Sequence, residues 1–250
     1  MSVKSSVKKG FGVARQSLPV VGILSLFGFI WSLINLYYAP RVQQNPQTAL
    51  SILIIIATII FLFVSIFLQA GSLGYVRDKI KQGQADLSIF LSTGGKYYLP
   101  IFLVGLIITL VAVVLIVLAA LCVAFLKVVG IVIAVIIAVI GVYLLLLVFF
   151  APYIIVVKDE KAGAALKKSV SLVKKNLLAV LGISLILILI GFVIGILIGL
   201  LLGLTNVVVP SPASKIIYAL VSSLLNSFLG VFVTASFMNF YMEVSNTSGA

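Results

Sequence analysis

Histidine does not occur in these 250 residues, and cysteine occurs once. The first absence removes the commonest general base and the commonest metal ligand together. The second rules out an intrachain disulfide and a thiolate metal site, and leaves Cys122, inside an apolar run, as a small hydrophobe. Acids are scarce as well: Asp78, Asp86, Asp159, Glu160 and Glu243 are all there are. None of them, and no lysine or arginine, falls in the middle of a long apolar run, so a proton relay or a buried carboxylate for a coupling ion has no candidate. Paired aspartates, or a serine with a histidine, are missing for intramembrane proteolysis, and so is a phosphate-binding glycine-lysine loop. The chain reads as non-enzymatic, without catalytic residue, cofactor, metal or nucleic-acid partner.

What is present is hydrocarbon. Apolar residues make up 63% of the chain and charged ones 9%, and the apolar residues gather in windows at 18–38, 49–75, 98–126, 128–157, 177–204 and 216–242. Each reaches the ~20 residues that cross a bilayer core. The third and fourth windows touch across Lys127 and Gly130, and a single span cannot absorb residues 98–157, so a tight hairpin is expected there. The expected fold is all-α: a polytopic integral membrane protein with six transmembrane helices in three hairpins, a single membrane domain over residues 1–242 and a polar tail over 243–250. The first window is too long for a signal-peptide core and lacks a small-x-small cleavage pattern, so it reads as an uncleaved helix.

Basic residues fall in blocks before the first window, between the second and third, and between the fourth and fifth. Fourteen of the seventeen lie on that one side, against Arg41, Lys127 and Lys215 on the other. The positive-inside rule puts both termini in the cytoplasm and the chain in the cytoplasmic membrane. All five acids share the basic side and leave it strongly cationic, a surface that attracts anionic lipid headgroups at about 1 kcal/mol per well-placed basic residue.

Leu87, Ser92, Lys96 and Leu99 superpose on Leu166, Ser171, Lys175 and Leu178, and Arg15, Leu18 and Pro19 superpose on Lys96, Leu99 and Pro100. The organisation reads as three copies, at 1–75, 76–157 and 158–242, of a basic surface segment followed by a hairpin; ordinary alternation of basic loops and hairpins gives the same outline. In residues 159–176, acids open and lysines close the segment, as the helix dipole prefers, and Ala162, Leu166, Val170 and Val173 share a face. Such a helix lies flat at the headgroups and presents Lys158, Lys161, Lys167, Lys168, Lys174 and Lys175 to lipid. Val3, Val7, Phe11 and Ala14 form a comparable stripe. In the middle copy, Gly94 and Gly95 are expected to end any helix that starts near Asp86.

Within the windows, Gly191, Gly195, Gly199 and Gly203 recur every fourth residue. In water such a row weakens a helix, whereas in lipid it lets two backbones approach closely. Packing within the monomer is the expected use, and a seam between copies, hence a homo-oligomer, is the alternative. The last window is rich in polar side chains, among them Ser223, Asn226 and Asn239, which read either as interhelical hydrogen bonds or as the lining of a solute path. Pro152 should kink the fourth span, because it removes a bond to the carbonyl of Val148.

The run Ala151-Pro152-Tyr153 through Lys158-Asp159-Glu160, followed by Ala165-Leu166-Lys167-Lys168-Ser169 and Lys174-Lys175-Asn176-Leu177, resembles a recurring pattern. It is similar to that of the six-span membrane domain attached to some bacterial glycerophosphoryl diester phosphodiesterases, and of related stand-alone prokaryotic membrane proteins. The likeness is firmest over residues 149–185. It implies architecture, a helical bundle with surface helices between hairpins, and a partnership with lipid or with membrane-bound enzymes; it does not imply the phosphodiesterase activity, whose catalytic barrel is missing. The expected role is a membrane module that engages anionic lipid, or a membrane or cytoplasmic protein partner, through its cationic inner face. A permease for a small or amphipathic solute is the alternative.

Overall fold

The computed structural model describes residues 3–44, 49–208 and 211–247. Among the described residues there are eight helices: α1 (Val3–Gln16), α2 (Leu18–Gln44), α3 (Ala49–Gln82), α4 (Leu87–Val148), α5 (Ala151–Lys158), α6 (Ala162–Lys175), α7 (Leu177–Val208) and α8 (Pro212–Thr247). No strand occurs among the described residues. Five stretches are long and apolar enough to cross a membrane: Leu18–Tyr38, Ser51–Gln82, Leu87–Lys158, Leu177–Leu200 and Ala213–Ser245. The third is the stretch that the sequence divides into two windows. The turns expected at Asn45-Pro46 and at Pro210 lie outside the described residues.

One compact unit comprises the described residues up to Gly94 together with those from Leu181 onward, and Gly95–Val180 form the other. In the first unit α8 is the central helix. Its later turns are enclosed, with Val231, Ala235, Met238 and Tyr241 all buried. Helix α1 reaches it through Ser6, Gly10 and Ala14, the buried residues of α1. The contact is close enough to exclude a side chain: a Cβ at Gly10 would lie 2.1 Å from Ser236 Oγ and 2.7 Å from Ser236 Cα. Of the stripe of Val3, Val7, Phe11 and Ala14, expected to lie toward the headgroups, only Ala14 belongs to the face packed on α8, because small residues at every fourth position allow a nearer backbone than large apolar ones. Phe11 stays 53% exposed, its ring edge-on to Phe228 and Phe232. Lys9 closes the contact with an ion pair to Glu243 at 2.8 Å, and the Ser6 hydroxyl donates to the same carboxylate. Glu243 and Val244, at the start of the expected polar tail, are part of α8.

Helices α2 and α3 meet through Phe27 and Trp31, both stacked on Phe61. The expectation that Gly94 and Gly95 end a helix is also corrected: α4 runs through both, and through Pro100. A Cβ at Gly94 would lie 2.8 Å from the ring of Phe67, so the position is filled by packing from α3, which outweighs a propensity cost of about 1 kcal/mol.

In the second unit α4 is interrupted at Lys127, whose φ of 47° and ψ of −118° are not helical. Gly130 then lies against the carbonyl of Cys122, 2.0 Å from where its Cβ would be, and Gly141 faces Leu115. Residues 87–126 and 128–148 are therefore two arms, side by side near that break. The second arm stops at Val148, and α5 begins anew with Pro152 in its first turn and Phe150 as its N-cap. Instead of kinking one long span, the proline opens a fresh helix, where its missing N–H is not needed. Asp159, at φ 55° and ψ 42°, closes α5 in the left-handed region.

Large apolar side chains cover the outside. Phe125 is 80% exposed, Val128 76% and Leu178 85%, a surface that water does not tolerate on this scale and lipid does. Replacing Gly10 by leucine is expected to destabilise the protein by about 1–3 kcal/mol, as overpacking does, while Gly12→Ala, which meets no neighbour within 4 Å, leaves it unchanged. Thermal unfolding of the detergent-purified variants measures the difference.

Candidate functional site

The lysines that the sequence assigns to lipid headgroups are held by the junction of α4, α5 and α6. Where α4 stops, the carbonyls of its last turn and the first N–H groups of α5 lose their helical partners. One side chain serves both ends of the break. The hydroxyl of Ser169, buried on α6, donates to the Leu147 carbonyl at 2.7 Å and accepts from the Phe150 N–H at 3.2 Å. The serine thereby fixes α6 against the break, flanked on the same buried line by Ala162, Ala165 and Val173. Leu166 and Val170, expected on that face, are only half-buried. The packed face is turned toward the smaller residues, which let α6 come close.

The acids are not in the first turn of α6, contrary to the dipole argument. Asp159 instead pairs with Lys96 at 2.8 Å, and Glu160 pairs with Lys168. Lys158 ends α5 and Lys161 is the N-cap of α6; they, with Lys167, Lys168, Lys174 and Lys175, are all exposed. The six thus sit together on one short stretch of the second unit.

Beside α6 a groove opens between the arms of α4. Its volume is about 460 Å³, and its lining runs along the first arm from Ile107 to Ala119 and along the second from Ile137 to Val148, with Val170 of α6 at the Val148 end. The lining is entirely apolar. Neither the groove nor the double role of Ser169 was legible beforehand. A lone serine in an apolar stripe between lysine pairs was the available signal for the second.

The polar side chains of α8 do not gather at one point. Ser223 and Asn239 are buried and Asn226 is exposed, and sixteen residues, about 24 Å of helix, separate the first from the last. The buried ones bond within their own helix, Ser223 to the Ala219 carbonyl and Asn239 to that of Ala235, the local pattern that satisfies a hydroxyl or amide in a helix without a partner helix.

The glycine row of α7 is in the same position. A Cβ at Gly191, Gly195, Gly199 or Gly203 would meet nothing within 4 Å. The expected packing within the monomer finds no neighbour here: the close glycine contacts among the described residues include those of Gly10, Gly71, Gly74 and Gly130, and the row in α7 is not among them.

The chain matches, over residues 1–244, the family model described as Domain of unknown function (DUF7847). It belongs to that family. No curated protein and no solved structure is similar enough to register as a match. Membership in DUF7847 thus covers both units, and the reading of its chemistry rests on the geometry above.

Ser169→Ala strands a carbonyl and an N–H at the break and is expected to lower stability by about 1–3 kcal/mol, read as a fall in the detergent unfolding temperature. Gly195→Leu with Gly199→Leu, by contrast, leaves the stability of the monomer unchanged or slightly raised, since nothing in the chain needs the space and leucine favours a helix; unfolding of monodisperse protein checks it.

Proposed function

We propose that this member of DUF7847 is a six-span, non-enzymatic membrane module with both termini in the cytoplasm, whose α5–α6 lysines engage anionic lipid headgroups. The observation that carries the reading is the exposure of all six lysines on the short stretch that Ser169 pins to the end of α4. A flexible loop would disperse that charge; two short helices concentrate it.

Two ion pairs support the topology. Lys9, before the first apolar window, reaches Glu243, after the last; Lys96, before the third window, reaches Asp159, after the fourth. Each pair fits an even number of crossings between its members, as three hairpins require. The break at Lys127 supports counting the long α4 stretch as two spans, which brings the total to six. The likeness of residues 149–185 to the phosphodiesterase-type membrane domain enters the proposal for architecture alone. The amphipathic character of α6, small and apolar inward with lysine outward, suits a helix lying at the headgroup level.

With Lys167, Lys168, Lys174 and Lys175 all changed to glutamine, the stabilisation that dioleoyl phosphatidylglycerol gives over dioleoyl phosphatidylcholine is expected to fall sharply, since each lysine near the surface contributes about 1 kcal/mol. Thermal unfolding in mixed micelles measures it, and equal response to both lipids in the wild-type protein removes the reading. In a Cys122→Ser background, Ala164→Cys should resist a membrane-impermeant maleimide applied to intact cells and react in inverted vesicles; labelling from outside inverts the topology.

A further inference from the structure

The groove in α4 and the lysines of α6 meet at Val170. That residue lies at the α6 end of the groove, and Lys167 and Lys174, three before it and four after, occupy the same side of the helix. Both are exposed, and neither has an ion-pair partner among the described residues, whereas Lys168 is engaged by Glu160. The mouth of the groove is therefore flanked by two uncompensated ammonium groups.

From that mouth the groove follows the first arm from Ile107 to Ala119, about 18 Å of helix rise. This is close to half of a ~30 Å hydrocarbon core, the depth that one lipid tail occupies in its leaflet. Small side chains make the furrow: Ala112 and Ala119 on one wall, Ala138 and Gly141 on the other. Water in a cavity needs polar partners, and this lining offers none, so its occupant is hydrocarbon. The volume lies within the range of about 300–1,000 Å³ typical of small-molecule sites.

We propose that the groove holds one acyl chain of an anionic phospholipid, with the phosphate at the mouth between Lys167 and Lys174. This deepens the headgroup contact proposed above and rests on it for the charge. A tail that leaves the bilayer for the groove exchanges one hydrocarbon environment for another, so the tail contributes fit and the lysines contribute selectivity. The two parts are separable by mutation.

Native mass spectrometry of the full chain, delipidated and then titrated with dioleoyl phosphatidylglycerol or dioleoyl phosphatidylcholine, tests the proposal. The wild-type protein is expected to retain one phosphatidylglycerol per chain. Ala112→Phe and Ala138→Phe, which fill the groove from opposite walls, should each lose that retained lipid while phosphatidylglycerol still raises their unfolding temperature through the lysine surface. Lys167→Gln with Lys174→Gln, on an exposed face where folding is not at risk, should reduce the preference for phosphatidylglycerol over phosphatidylcholine by about thirtyfold, and Lys4→Gln with Lys8→Gln should leave it unchanged. Groove-filled variants that retain lipid at the wild-type level overturn the acyl-chain site and spare the broader headgroup reading. A wild-type protein that carries no lipid and appears as two copies of this chain also overturns it, since the groove then seats a second molecule. If phosphatidylglycerol neither binds nor stabilises any form, both readings fall together.

Discussion

A peptide group in hydrocarbon has no water to bond, so each N–H and C=O must find its partner within the protein. This constraint accounts for the nearly unbroken helices, and it makes every interruption informative. Two interruptions stand out in the second unit. At Lys127 the chain reverses by taking one residue out of helical geometry. At Phe149 and Phe150 the groups set free by the break are taken up by the hydroxyl of Ser169. The second solution ties α6 to the end of α4, and the orientation of the lysines follows from it.

Helix contact in lipid depends on how closely backbones approach, because lipid tails are as apolar as leucine and offer no hydrophobic gain for association. The first unit answers with Ser6, Gly10 and Ala14 laid against α8, and the second with small residues on the inner line of α6. In both units many large apolar side chains are left to the outside, while Phe90, Met238 and Tyr241 in the first and Phe150, Ile154 and Ile155 in the second are buried. Exposure of leucine, isoleucine and valine is here the ordinary state of a lipid-facing surface, and buried small residues mark the interfaces.

Element type and the approximate extent of the apolar helices were legible because unbroken apolar runs bordered by lysines have few other physical solutions. So was α6 as a separate helix. Its rotation was not, because Leu166 and Val170 carry a stronger apolar signal than Ala165 and Ser169, yet close packing favours the smaller pair. In α1, likewise, the stripe with Phe11 is the stronger apolar signal, and Gly10 makes the close contact. The glycine row in α7 is the longer and more regular signal, yet it meets no neighbour within the chain while Gly10 does, because only tertiary geometry decides which glycines have a partner. Asp159 and Glu160 were assigned to a helix dipole and serve ion pairs with Lys96 and Lys168 instead, a choice that depends on residues 63 and eight positions away. The candidate lysines were identifiable one by one; the apolar furrow beside them was not, since it arises from alanines and a glycine on two arms whose register no local pattern specifies.

The contact of α1 with α8 joins residues more than two hundred positions apart, Lys9 to Glu243 among them. Its energetic weight as a surface ion pair is small, about 0–1 kcal/mol, but its place in the order of synthesis is not. A ribosome delivers α1 about two hundred residues before α8, so the small-residue face of α1 is without its mate while the intervening helices are made. Completion of this unit is therefore a late event that waits on α8, and a nascent chain arrested before α8 carries an α1 that lacks its main packing partner.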